Sequence, residues 1–154
     1  MRICFIVGTR PNFMKAAPVF KVFESFYDCK LVHTGQHFDE NMSDVFFKQL
    51  NIKTPDFHLG LNRSTQIGQI ADVMVQLEKV FNEILPDWVF VFGDVNSTLS
   101  ASLVAKRCNT KIAHVESGLR SFDSQMPEEI NPKYRARHFE YRYSMPRLYK
   151  TLDA

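Results

Sequence analysis

A doubly wound parallel α/β sheet is the fold class this chain predicts, on three observations. Apolar runs at residues 3–7, 30–34, 88–92 and 111–115 are short, and the first and third are unbroken. Helix-period segments lie between them, and polar residues follow each run directly. An unbroken run reads as a strand buried on both faces, and strands alternating with helices at this spacing read as right-handed βαβ units.

Each element follows from local pattern. Ile3-Cys4-Phe5-Ile6-Val7 stops at Gly8 and opens the sheet. After the turn Gly8-Thr9-Arg10-Pro11, residues 13–26 suit a helix with Met14, Ala17, Val19, Phe20, Phe23 and Phe26 as its apolar positions, and Pro18 is expected to kink it or mark its first turn. Residues 30–34 make a shorter strand that runs into Gly35, and residues 40–50 form a second helix candidate. The clearest helix spans 64–85: Ile67, Ile70, Met74, Leu77, Phe81 and Ile84 recur at spacings of three and four, with Ser64 as cap and Pro86 as stop. Residues 97–107 supply the next helix.

Composition bounds the function. At 154 residues, with 45% hydrophobic and 23% charged residues, the chain has the size and make-up of one globular domain. No apolar run approaches the ~20 residues of a membrane helix, so a cytoplasmic protein without membrane attachment is expected. Cys4, Cys29 and Cys108 form no CxxC pair, which argues against a disulfide or zinc framework, and Cys4 and Cys108 are expected to fill the core. The net charge of +2 is uneven: residues 132–154 carry +4 and residues 1–131 carry −2. A nucleic-acid partner would therefore rest on the last 23 residues alone.

In an open parallel sheet, ligands sit beyond the carboxyl ends of the strands. Four segments meet there: Gly8-Thr9-Arg10-Pro11 with Lys15, Gly35-Gln36-His37, Gly93-Asp94-Val95-Asn96-Ser97, and Glu116-Ser117-Gly118-Leu119-Arg120. Arg10 and Lys15 can offset phosphate charge, and Asp94 and Glu116 can do acid and base work. GxGxxG and GxxxxGK[ST] are both absent. Structural readings stand beside these roles. Arg10 and Lys15 serve equally as surface charges, and Asp94 with Asn96 and Ser97 as an Asx turn and helix cap. His37 reads as a loop residue, His33 and His114 as core histidines, and Glu128 and Glu129 as first-turn acids.

The ordered blocks Gly8-Thr9-Arg10-Pro11-Asn12-Phe13-Met14-Lys15, Thr34-Gly35-Gln36-His37, Gly93-Asp94-Val95-Asn96-Ser97-Thr98, His114-Val115-Glu116-Ser117-Gly118-Leu119-Arg120 and Pro127-Glu128-Glu129-Ile130-Asn131 resemble the non-hydrolysing UDP-N-acetylglucosamine 2-epimerases. The resemblance implies the first Rossmann-like half of a two-domain fold like that of the B-type glycosyltransferases. It implies conversion of UDP-N-acetylglucosamine to UDP-N-acetylmannosamine by elimination and re-addition of UDP, in cell-surface polysaccharide biosynthesis. Carried over by position, Asp94, Glu116 and Glu128 are the catalytic carboxylates, and Arg10, Lys15, His37, Asn96 and Arg120 bind substrate. No metal or other cofactor is implied, and the full-length family is expected to be homodimeric.

Two departures qualify the match. Asn12-Phe13 and Asn41-Met42-Ser43-Asp44 resemble the branch acting on UDP-2,3-diacetamido-glucuronate. After Asn131 the chain leaves the family pattern, and reading free codons one nucleotide later permits I-R-N-T-E-H-A-I-S-N-I-D-T-L-C. The expectation is a family domain over 1–131 and a basic, frameshifted tail over 132–154 outside the native fold, with little or no turnover by the chain alone. The alternatives are a genuine short protein with a basic arm, or a non-catalytic nucleotide-sugar binding domain.

Overall fold

The computed structural model of the chain describes residues 1–35, 47, 52–60 and 65–116, together with the backbone of Tyr141–Tyr143. Among the described residues, six strands form one sheet: β1 (Arg2–Val7), β2 (Asp28–His33), β3 (Phe57–His58), β4 (Trp88–Phe92), β5 (Lys111–Val115) and β6 (Tyr141–Tyr143). Their order is β3-β2-β1-β4-β5-β6, and every pairing is parallel. Among the described residues, helices α1 (Arg10–Glu24), α2 (Gln66–Ile84) and α3 (Asn96–Arg107) follow β1, β3 and β4. The order reverses direction between β1 and β4, so the switch point where such sheets open a crevice lies beside Gly8 and Gly93.

Alternation within each apolar run explains the two layers. In β1, Cys4 and Ile6 join Val73, Leu77, Phe81 and Val104 on the α2 and α3 side. Ile3, Phe5 and Val7 join Phe13, Ala16, Ala17 and Phe20 on the α1 side. A run buried on both faces needs apolar residues at every position, which is why no polar alternation appears in the sequence.

Several expectations change. α1 begins at Arg10 with Pro11 in its first turn, and Pro18 sits on an exposed face inside the helix. The buried face runs through Phe13, Ala16, Ala17 and Phe20, a spacing of three and four, whereas Met14 is 57% and Phe26 76% exposed. The cap of α2 is Thr65, whose hydroxyl accepts from Gly68 N–H at 3.1 Å, and Ser64 lies outside the described residues. Ile67 of that helix is exposed because only the stripe through Val73, Leu77, Val80, Phe81 and Ile84 faces the sheet. Cys108 is exposed just past α3, and Cys29 is the second buried cysteine with Cys4. Residues 40–50 lie outside the described residues except Phe47, which is buried against Phe13.

Strands β3 and β6 had no counterpart in the sequence reading. β3 is two residues long, too short for a periodic signal. β6 falls within residues 132–154 and pairs with Ala113–Val115 of β5; the rest of that stretch lies outside the described residues.

Candidate functional site

The carboxyl edge of β1 turns at Gly8 into α1, and the reason for glycine there is space. A Cβ on Gly8 would collide with Ser97 Oγ and stand 2.7 Å from Thr34 Oγ1. The ends of β1, β2 and α3 therefore meet at this one residue. Gly93 has a different reason: its φ of 64° is left-handed, while a Cβ would find ordinary clearances of 3.5 Å to Asn12 and 3.7 Å to Lys15 Nζ.

Glu116 follows β5 directly and is also left-handed, at φ 64°. For a non-glycine residue this costs free energy, and such strain is a pointer to function. The turn aims its carboxylate across the edge to Lys15, with which it forms an ion pair. Both side chains are largely buried, at 29% and 19% exposure, so the pair stands in a low-dielectric setting rather than in bulk water.

Asp94 is half-buried and lies one residue past Gly93, in the turn against which Lys15 rests. The N-cap of α3 is Val95, which makes no side-chain cap hydrogen bond. Asn96 is 7% exposed, and its amide donates to Gln66 at the start of α2, tying the two helix N-termini together. Arg10 is exposed at the first position of α1, on the same edge. His37, Arg120 and Glu128 lie outside the described residues. Lys15 and Glu116 are thus brought into contact, Asp94 and Arg10 flank them on adjacent strand ends, and Asn96 is bonded to Gln66.

Two histidines support the edge from within. His114 is 3% exposed, and its Nε2–H donates to Gly93 C=O at 2.6 Å, which fixes the proton on Nε2. His33 is 1% exposed and stacks on Phe13 with ring centroids 5.2 Å apart. Burial, reinforced by the neighbouring His58, pushes its pKa down to about 4. Sequence reasoning missed Asn12, whose side chain spans from this turn to β4. The available signal was its position three residues after Thr9, the spacing of a capping box.

Among the described residues, two cations and two carboxylates share the edge, so the local charges balance. The arrangement can hold an ionised carboxylate against a cation beside a second acid, a composition suited to moving a proton near a charged leaving group. Among the described residues no group of three or more His, Cys, Asp or Glu could hold a metal ion. Within them, too, no helix is long and apolar enough to cross a membrane.

Known proteins share this architecture. A family profile described as UDP-N-acetylglucosamine 2-epimerase matches residues 23–136. A UDP-N-acetylglucosamine 2-epimerase homolog of Methanococcus maripaludis is 44% identical over 131 residues, covering 85% of this chain and 37% of that protein. The UDP-2,3-diacetamido-2,3-dideoxy-D-glucuronate 2-epimerase of Pseudomonas aeruginosa is 44% identical over 133 residues, covering 85% of this chain and 38% of its own length. The crystal structure of Methanocaldococcus jannaschii UDP-GlcNAc 2-epimerase, in complex with UDP-GlcNAc and UDP, superposes with a TM-score of 0.88 at 39% identity, over 94% of this chain and 40% of that one. The chain thus spans under two-fifths of the length of these curated relatives. Its structural neighbours have the B-type glycosyltransferase-like fold, to which the parallel sheet here contributes one Rossmann-like part. A profile match over most of the chain, with relatives 44% identical and a solved structure of the same fold, makes the chain a member of the UDP-N-acetylglucosamine 2-epimerase family.

Proposed function

We propose that this chain carries the N-terminal half of a UDP-sugar 2-epimerase site, with UDP-N-acetylglucosamine as substrate and UDP-N-acetylmannosamine as product. The observation that carries the reading is the Lys15–Glu116 ion pair at the switch point of the sheet, beside the turn that bears Asp94. In the proposed reaction, the C2–H bond breaks and its proton goes to a carboxylate as the C1–O bond breaks and UDP departs, leaving a 2-acetamidoglucal. UDP then adds back to C1, and an acid protonates C2 on the opposite face. C2–H is a weak acid, so loss of the phosphate leaving group must accompany proton removal.

Asp94, Glu116 and Glu128 are the proposed proton-transfer groups, and Arg10, Lys15, His37, Asn96 and Arg120 the proposed substrate contacts. Asn96 would have to release Gln66 to reach a ligand, so it is the weakest member of that set. Because the two described carboxylates offset the two cations, a diphosphate needs further positive charge, a role suited to Arg120 or to the remaining length of the relatives. A cytoplasmic homodimeric enzyme of surface-polysaccharide synthesis is the setting proposed for the full-length protein.

NMR titration of the chain with UDP-N-acetylglucosamine to about 10 mM, equivalent to about 2.7 kcal/mol of binding, tests the reading. Shifts are expected at Arg10, Gly93, Asp94 and Glu116, weakened in Arg10→Ala. Signals unmoved at that concentration would reject it. A second substrate, UDP-2,3-diacetamido-glucuronate, is favoured by the 44% identity to the Pseudomonas aeruginosa enzyme and by Asn12-Phe13. Tighter binding of that sugar in the same titration would select it.

Residues 1–131 are proposed as the family domain and residues 132–154 as the product of a shifted frame. Pairing of Tyr141–Tyr143 with β5 favours the rival, a native basic arm. The nucleotide sequence decides: a single-base shift that opens a long frame supports the first, and its absence the second.

A further inference from the structure

Asn12 belongs to neither the proton-transfer set nor the ligand set, yet it is 3% exposed at the centre of the edge. Its Oδ1 accepts from Gly8 N–H at 3.3 Å, Thr9 N–H at 3.2 Å and the Thr9 hydroxyl at 3.0 Å. Its Nδ2 donates to Phe92 C=O at 3.0 Å, across 80 residues of sequence. That carbonyl also accepts from the Thr98 hydroxyl at 2.8 Å. The next residue, Gly93, donates its N–H to Val115 C=O at 3.2 Å and receives His114 at its own C=O. The turn leading to Asp94 is therefore held from α1 on one side and from β5 on the other.

A capping role accounts for Oδ1, the reciprocal half of a capping box. It does not account for Nδ2, which reaches a different strand. We infer that Asn12 is a positioning residue that locks the α1 segment bearing Arg10 and Lys15 to the Phe92–Asp94 turn. The cation and carboxylate sides of the edge then move as one body. The task demands an acceptor at one end and a donor at the other. Aspartate lacks the donor, and serine is one atom too short to reach Phe92. The functional half of this inference rests on the proposed reading of the site; the lock itself does not.

The test uses the whole chain, isotopically labelled, with Asn12→Ser and Asn12→Asp. Amide exchange at Gly93 and Asp94 is expected to quicken by about tenfold in both, the worth of one hydrogen bond, with Gly35 unchanged. Wild-type protection at Gly93 in a folded variant overturns the lock. Should neither variant fold, exchange of the Asn12 side-chain amide in the unsubstituted chain decides: protection supports the bond to Phe92, and exchange at the rate of a free amide overturns it. In the UDP-N-acetylglucosamine titration, run at a temperature where the variant is fully folded, Asn12→Ser is expected to bind about fivefold more weakly. Equal affinity overturns the positioning role. Absence of binding by the unsubstituted chain would sink the proposed function, while the exchange rates would still decide the lock.

Discussion

Gly8 and Gly93 occupy equivalent places after β1 and β4, yet different physics holds each. At Gly8 an added methyl would press on Ser97 and Thr34, both 2% exposed or less and unable to retreat. Gly8→Ala is therefore an overpacking change, expected to cost about 3 kcal/mol, whereas Gly93→Ala carries only the left-handed penalty of about 1–2 kcal/mol. Urea unfolding of the two variants checks the order, and a larger loss at Gly93 would refute it. His33 supplies a pH dependence at the same scale. Its folded pKa of about 4 lies below the ordinary 6.5, so the unfolded chain binds the proton more tightly. The associated stability is present above pH 6.5 and lost as pH falls toward 4, about 3 kcal/mol in all. His33→Gln should flatten the stability profile across that window; an unchanged slope would exclude His33 as its source.

Among the elements, β1 bears the most. Phe5, fully buried, stacks on Phe90 at 4.9 Å and meets Phe20 edge-on at 5.0 Å, so one side chain joins β1, β4 and α1. Phe5→Ala leaves a void walled by stiff rings that cannot collapse, and is expected to cost about 3–5 kcal/mol in a urea titration. A loss below about 1.5 kcal/mol would mean that the cluster repacks. The displaced face of α1 has a related cause. Phe13 and Phe20 pack with β1, β2 and Phe47, whereas Met14, equally apolar in sequence, falls on the solvent side and Phe26 lies past the end of the helix.

For the whole molecule, the proposed site has this edge as one wall. The relatives are more than twice as long, and a ligand bound between two walls draws its orientation and its exclusion of water from both. These 154 residues alone are therefore expected to show no C2 proton exchange with UDP-N-acetylglucosamine in deuterium oxide and no UDP release. Robust turnover would show that one wall suffices.

Fold class was legible because strands buried on two faces leave continuous apolar runs, and because parallel topology sends every run's end to a common edge. Hence Arg10, Lys15, Asp94 and Glu116 could be gathered from sequence alone. Short β3 and β6, which have too few residues to show a period, could not be read that way. Nor could the buried face of α1, the exposure of Cys108 or the turning of Asn96 toward Gln66, because each depends on what packs opposite. The partnership of Asn12 with Phe92 was hidden for the same reason: a hydrogen bond across 80 residues leaves no local pattern, and only the folded sheet brings its two ends within reach.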